Sequence, residues 1–149
     1  MDRYKVKDLI DSFFVAKRIT EMMPELPKGL KPRHIHVIDS IAEIRKVKDK
    51  VCVSDISSAL KVTTPSITKL INELYKMEIV RKEHEDEDKR MVTLYLTDLG
   101  EKYYNYYIIE YHNKIAEKLK NIEDGNCEIT IDIINKVYEV IKSIEREDI

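Results

Sequence analysis

The side chains best arranged for recognition chemistry in this 149-residue chain lie between positions 64 and 90. In TTPSITKLINELYKM, Ile67, Leu70, Ile71 and Leu74 recur at i, i+3, i+4 and i+7, the buried stripe of a helix. That leaves Ser66, Thr68, Lys69 and Asn72 outward. Hydroxyl, amide and ammonium groups along one exposed edge can exchange hydrogen bonds with base edges and phosphates. Thr64 is expected to cap this helix, because the residue before a proline is held extended. Pro65 suits the first helical position, where its missing N–H is no loss. The candidate reading edge is therefore Thr64, Pro65, Ser66, Thr68 and Lys69. A second cluster is Asp88-Lys89-Arg90. A guanidinium at Arg90 can enter a narrow minor groove, Asp88 can orient it through a charge-assisted hydrogen bond, and Lys89 adds positive charge. Taken alone, the same residues also describe a solvated helix and a surface ion pair worth under about 1 kcal/mol.

The surrounding elements bear on that choice. In VSDISSALKV, Ser54 is the expected cap of a short preceding helix, with Ile56, Ala59 and Leu60 on its inner face. After the second helix, Ile79 to His84 and Met91 to Leu96 bracket a charged turn. Val92, Leu94 and Leu96 alternate with Thr93 and Tyr95, as in a half-buried strand. Two helices joined by a tight turn, then a hairpin, make a winged helix-turn-helix, in which the second helix enters the major groove. Thr97 can cap the helix after the hairpin. Gly100, one of three glycines, permits close backbone approach there.

The run from Leu74 through IVRKEHEDEDKRMVTLYLTDLG resembles the MarR family of bacterial and archaeal transcription regulators. That family's wing usually carries D-x-R and ends in L-T-x-x-G; this chain has Asp88-Lys89-Arg90 and Leu96-Thr97-Asp98-Leu99-Gly100. The resemblance implies a mainly α fold with a small antiparallel β wing and dimerisation helices at both ends. It also implies a homodimer on pseudo-palindromic double-stranded DNA, with Arg90 marked for DNA. A repressor responsive to a small aromatic or anionic effector, bound where the dimer helices meet the winged unit, is the further expectation. Val51-Cys52-Val53 would supply a third strand beside the wing. Two positions depart from the family pattern. Glu78 stands where glycine is common, so the recognition helix must end without the easiest left-handed residue. The wing tip, Glu83-His84-Glu85-Asp86-Glu87-Asp88, carries five acids in six residues, which phosphate repels unless they point away.

The remaining chain reads as helices. Residues 3 to 22 carry Val6, Leu9, Ile10, Phe13 and Phe14 in one stripe, and Pro24, Pro27 and Gly29 form a connector. A helix from Pro32 to about Val47 turns Ile35, Ile38, Ile41, Ala42 and Ile44 inward. A long tyrosine-rich helix follows Gly100 to about Lys120. Residues 121 to 128 read as a loop, and a last helix carries Ile131, Ile134, Val137, Tyr138, Val140, Ile141 and Ile144. Both final helices have broad apolar arcs and need two partners, one of them expected to be another subunit. The expected organisation is one domain over 1–149, with a winged helix-turn-helix over 30–100 and dimerisation helices at 1–22 and 101–149.

Other chemistry finds little support. Glycine-rich phosphate loops, nucleophile elbows and paired-cysteine metal motifs do not occur, and no catalytic acid–base pair stands out. His34 and His36 are two apart and diverge on a helix, while His84 and His112 are remote. The expectation is therefore no catalytic residue, no metal and no cofactor. Cys52 and Cys127 cannot make a disulfide framework and read as small core residues of a reducing, cytoplasmic compartment. No apolar run approaches the ~18 residues of a membrane span, and MDRYKVKD lacks a signal-peptide core.

Net charge is −2, distributed as +4 over residues 1–50, −2 over 51–99 and −4 over 100–149. DNA binding must then rest on a local patch from Lys61, Lys69, Lys89 and Arg90, helped by Lys31 and Arg33, and should be modest and salt-sensitive. The competing reading is a winged-helix protein-interaction module whose acidic wing never meets DNA.

Overall fold

The computed structural model describes residues 1–84 and 90–144, which divide into two compact units, Met1–His112 and Asn113–Ile149. The first is built around α2 (Pro32–Arg45), which buries His34, Ile35, Val37, Ile38, Ser40 and Ile41. Three β-branched or γ-branched faces close on it: Ile56 from α3 (Val53–Leu60), Ile67, Ile71 and Leu74 from α4 (Thr64–Lys76), and Val80, Leu94 and Leu96 from the hairpin. The hairpin pairs β1 (Val80–His84) antiparallel with β2 (Val92–Leu96), in a register that sets Val80 against Leu96 and Lys82 against Leu94. α1 (Arg3–Glu21) is capped by the Asp2 carboxylate, which accepts from the Tyr4 and Lys5 amides, both at 2.9 Å. The helix buries no residue fully. Leu9, Ile10 and Phe13 are half-buried, while Val6 and Phe14, expected in the same stripe, are exposed.

Four local expectations are corrected. Thr63, not Thr64, occupies the extended cap position of α4, so Thr64 and Pro65 are its first two helical residues; proline has no N–H to lose at either place. Cys52, not Ser54, caps α3. Its amide donates to Asp55 at 2.9 Å and its thiol to the same carboxylate at 3.1 Å, so the carboxylate three residues on accepts both donors of the cap residue. Ala59 is exposed rather than on the inner face. The expected third strand is reduced to one rung, the Leu94 amide donating to the Val51 carbonyl at 2.8 Å, and the sheet has two strands among the described residues.

The stretch after the hairpin departs most from expectation. It runs as α5 (Asp98–Tyr104), a π-helical segment (Asn105–Glu110) and α6 (Tyr111–Lys118). Tyr104, Tyr107 and Ile108, at i, i+3 and i+4, are buried across this change of winding. In the second unit, α7 (Asp124–Ile144) begins inside the segment expected as a loop, taking in Gly125. Cys127 is exposed rather than a core thiol. None of its residues is buried, and Ile129, Ile131 and Val140 are 59%, 54% and 58% exposed.

Candidate nucleic-acid interface

The recognition edge begins with the turn between α3 and α4. Lys61 takes a left-handed conformation (φ 53°), its own amide bonds back to the Ser57 carbonyl, and the Val62 amide donates to the same carbonyl at 3.1 Å. This reverses the chain in three residues and brings the start of α4 beside the end of α3. There the Thr64 hydroxyl donates to Ser57 at 3.4 Å and the Thr63 hydroxyl to Ser66 at 2.9 Å. Thr64, Pro65, Ser66, Thr68 and Lys69 are all exposed, on the face opposite Ile67, Ile71 and Leu74. The Thr68 hydroxyl donates to the Thr64 carbonyl at 2.9 Å, leaving its oxygen outward as an acceptor. The exposed helix N-terminus adds partial positive charge toward an approaching phosphate.

The far end of α4 is tied to the wing and to α5 at one corner. Glu78 takes φ 58°, its amide donates to Tyr75 and that of Ile79 to Leu74, both at 3.0 Å. This is a Schellman closure with a glutamate in the left-handed position where glycine is easiest. The Thr97 hydroxyl donates to the Glu78 carbonyl at 2.7 Å and accepts from the Gly100 amide at 3.2 Å, capping α5 as expected. A Cβ on Gly100 would stand 2.3 Å from the Ile79 carbonyl oxygen, so only glycine lets α5 start there. The L-T-x-x-G run is thus a joint: it fixes where the recognition helix stops relative to the strand that follows.

On the wing, Arg90 is exposed in the turn before β2. Asp88 and Lys89 lie outside the described residues, as does the expected Asp88–Arg90 pairing. The structure adds cations that spacing did not reveal. Lys82 hydrogen-bonds Asn72 and lies 4.9 Å from the Tyr75 ring centroid, so Asn72 is engaged by the wing. Arg45 and Arg81 sit 4.3 and 4.5 Å from the centroid of Tyr95, whose backbone pairs with that of Arg81. Each contact joins residues at least seven positions apart on different elements, beyond the reach of a periodicity argument.

His34 was also missed as a structural participant. Its ring is 1% exposed, its Nδ1 accepts from the Lys31 amide at 3.0 Å, and its Nε2 lies 2.7 Å from a Glu73 oxygen. This hydrogen bond, outweighing desolvation, holds the Glu73 carboxyl below the usual range. A signal existed: His34 stands three residues after the cap Lys31, the capping-box position. Beside this pair a cavity of about 790 Å³ opens between α1, α2 and α4, with Lys31, Arg33 and Lys69 on its cationic side and Leu60, Val62 and Leu70 among its apolar walls. Among the described residues no group of His, Cys, Asp and Glu is placed to hold a metal ion. No helix there is long and apolar enough to cross a membrane.

A packed helix pair, an exposed polar edge on the second helix and a hairpin wing joined to its end define a winged helix-turn-helix fold. Residues 30–92 match the model of the MarR family. Solved structures share the fold. The FabT protein of Streptococcus pneumoniae, in complex with DNA, aligns with a TM-score of 0.67 at 21% identity, covering 96% of this chain and 99% of its own. Staphylococcus aureus MarR, in complex with salicylate and kanamycin, aligns at 0.69 and 20%, covering 95% of each. The S. aureus MepR–DNA complex aligns at 0.62 and 15%, covering 75% of this chain and 78% of its own. A comparison with curated proteins gave no match.

Proposed function

We propose that this protein is a transcriptional regulator that acts as a homodimer and binds a pseudo-palindromic DNA site sequence-specifically. Each α4 enters a major groove through Thr64, Pro65, Ser66, Thr68 and Lys69, and Arg90, with Lys89, reaches a flanking minor groove, with Asp88 orienting its guanidinium. The observation that carries this reading is the two-sidedness of α4: Ile67, Ile71 and Leu74 are sealed in the core, while the hydrogen-bonding side chains stand exposed on the opposite edge. The likeness to FabT and MepR, each solved with DNA, supports it. Dimerisation through 1–22 and 101–149 is supported by large apolar side chains left in solvent, Phe14 and Ile19 on α1 (70% and 61% exposed) and Ile129 and Ile131 on α7. A two-fold dimer then sets its reading heads about one helical turn, ~34 Å, apart.

The protein represses until a small aromatic or anionic effector binds. The cavity beside α4 supports this: Lys31, Arg33 and Lys69 outnumber its one carboxylate, Glu73, and Leu60, Val62 and Leu70 add apolar lining, a combination suited to an aromatic acid; its volume lies within the range of ligand sites, roughly 300–1,000 Å³. The salicylate complex of S. aureus MarR is a precedent in the same fold. An effector can shift the balance only by its differential affinity for the two states, so complete release needs a preference of about 10⁴-fold.

Selection from random duplexes tests the proposal. A two-fold symmetric motif is expected, bound with a log–log salt slope of about −0.9 per phosphate contact. Failure to enrich any motif would overturn DNA reading in favour of a protein-interaction module with an acidic wing.

A further inference from the structure

Apolar packing holds α4 against the core but is a poor ruler. Branched side chains slide past one another with small changes in energy, whereas a hydrogen bond weakens steeply with distance and angle. The described part of α4 has one buried polar tether to the start of α2, the imidazole of His34. Since Nδ1 accepts the Lys31 amide, it carries no proton, and the Nε2–H must donate to Glu73. A ring that accepts at one end and donates at the other is satisfied in a single orientation. It therefore ties the backbone at Lys31 to a side chain one turn beyond Lys69 on the reading helix. Glu73 has exposed alternatives, Lys31 and Lys69, yet its short bond is to the buried ring.

We propose that His34 is a positioning residue for DNA readout: through Glu73 it sets the rotation and axial placement of α4 on α2, so that Ser66, Thr68 and Lys69 meet base edges in register. The inference rests on the reading of α4 as the recognition helix. Base-edge contacts are directional and lose their value with displacements of about half an ångström, while phosphate contacts, being largely charge attraction, tolerate them. Loss of the tether therefore lowers specific affinity and spares non-specific affinity. A residue that merely stabilises the fold would leave the ratio of the two unchanged in molecules that remain folded.

Three variants separate the roles. His34→Asn keeps an acceptor near the Nδ1 position for the Lys31 amide and removes the donor to Glu73. Glu73→Leu removes the acceptor from the partly exposed side and keeps the test alive if His34→Asn does not fold. Glu73→Gln keeps an acceptor oxygen and removes only the charge. Affinity is measured for the duplex most enriched by the wild type and for a scrambled duplex, well below each variant's melting temperature. Expected for His34→Asn and Glu73→Leu is a loss of roughly 10-fold on the enriched duplex, about one base contact, against under about 2-fold on the scrambled one. Glu73→Gln should retain the wild-type ratio, and nitrogen NMR of the wild type should show the Nε2–H tautomer of His34. An unchanged ratio in His34→Asn or, if it does not fold, in Glu73→Leu, or an Nδ1–H tautomer, overturns the proposal. A wild type that enriches no duplex overturns the DNA reading of α4 itself, and the proposal with it.

Discussion

At the corner between Glu78 and Gly100, one threonine hydroxyl closes the end of the recognition helix and opens the next, and the apolar residues Ile79, Val80, Leu94 and Leu96 are all buried. Along α7 the reverse holds: Ile129, Ile131, Ile133, Ile134, Val140 and Ile141 are each at least 41% exposed. Among the described residues no buried side-chain polar atom lacks a partner, so polar pairing is satisfied within the chain. What differs is apolar cover. The winged region closes on itself through short joints, each with a named bond. The terminal helices present surface that water solvates poorly, at roughly 1.5–3 kcal/mol for each large aliphatic side chain brought from exposure to full burial. The winged region thus buries its apolar side chains within one copy, while α1 and α7 leave theirs exposed, the surface on which the proposed dimer would close.

Putting charge into α7 tests that contrast most severely. The double variant Ile134→Glu, Ile141→Glu should weaken dimerisation by about 3 kcal/mol or more, since buried unpaired carboxylates add desolvation to lost packing. Sedimentation equilibrium reads the dissociation constant, and an unchanged one would place the subunit contact elsewhere. The opposite variant attacks the self-contained corner. Gly100→Ala should cost about 2 to 3 kcal/mol in denaturant unfolding, because its methyl meets a backbone carbonyl that cannot rotate away.

Smaller changes sharpen the comparison. Arg90→Ala should weaken binding to the selected duplex by about 1 to 3 kcal/mol while dimer and melting temperature stay nearly unchanged; unaltered affinity would show that the wing stays out of the groove. Asp55 offers a pH test. Burial pushes its carboxyl up, but hydrogen bonds from the Cys52 amide, Lys48 and the Cys52 thiol outweigh it and hold the pKa at about 2. A depressed carboxyl stabilises fully above its unfolded value of about 3.9 and loses that contribution as pH falls through the folded value. Asp55→Ala should therefore cost about 1 kcal/mol near neutrality, a gap that closes between about pH 4 and pH 2 in denaturant titrations. Last, Glu78→Gly should stabilise by about 0.5 kcal/mol, the relief of a left-handed side chain partly offset by greater freedom of the unfolded chain. A lower melting temperature would mean that the Glu78 side chain contributes something its backbone geometry does not show.

What was legible from the residues follows physical locality. The two faces of α4, the Thr97 cap and the need for Gly100 all depend on groups a few positions apart, or on one backbone constraint, and the structure has them as read; in β2 the expected alternation is broken, with Thr93 buried and Val92 half-buried. Cap identities slipped by one residue at Thr63 and by two at Cys52, because neighbouring side chains compete for the same amides and only the entering chain direction selects the winner. The π-helical segment at Asn105–Glu110 leaves no mark in the spacing, since the buried Tyr104, Tyr107 and Ile108 keep the i, i+3, i+4 pattern of an ordinary helix. The same holds for the clasp of Lys82 on Asn72 and the stacking of Arg45 and Arg81 on Tyr95. Sequence alone determined which face of α4 is buried and which polar side chains stand exposed on the other. Tertiary structure decided how the reading helix is held: a hydrogen bond between positions 34 and 73 exists only after α2 and α4 have packed, and nothing in either helix's own periodicity encodes the distance between them.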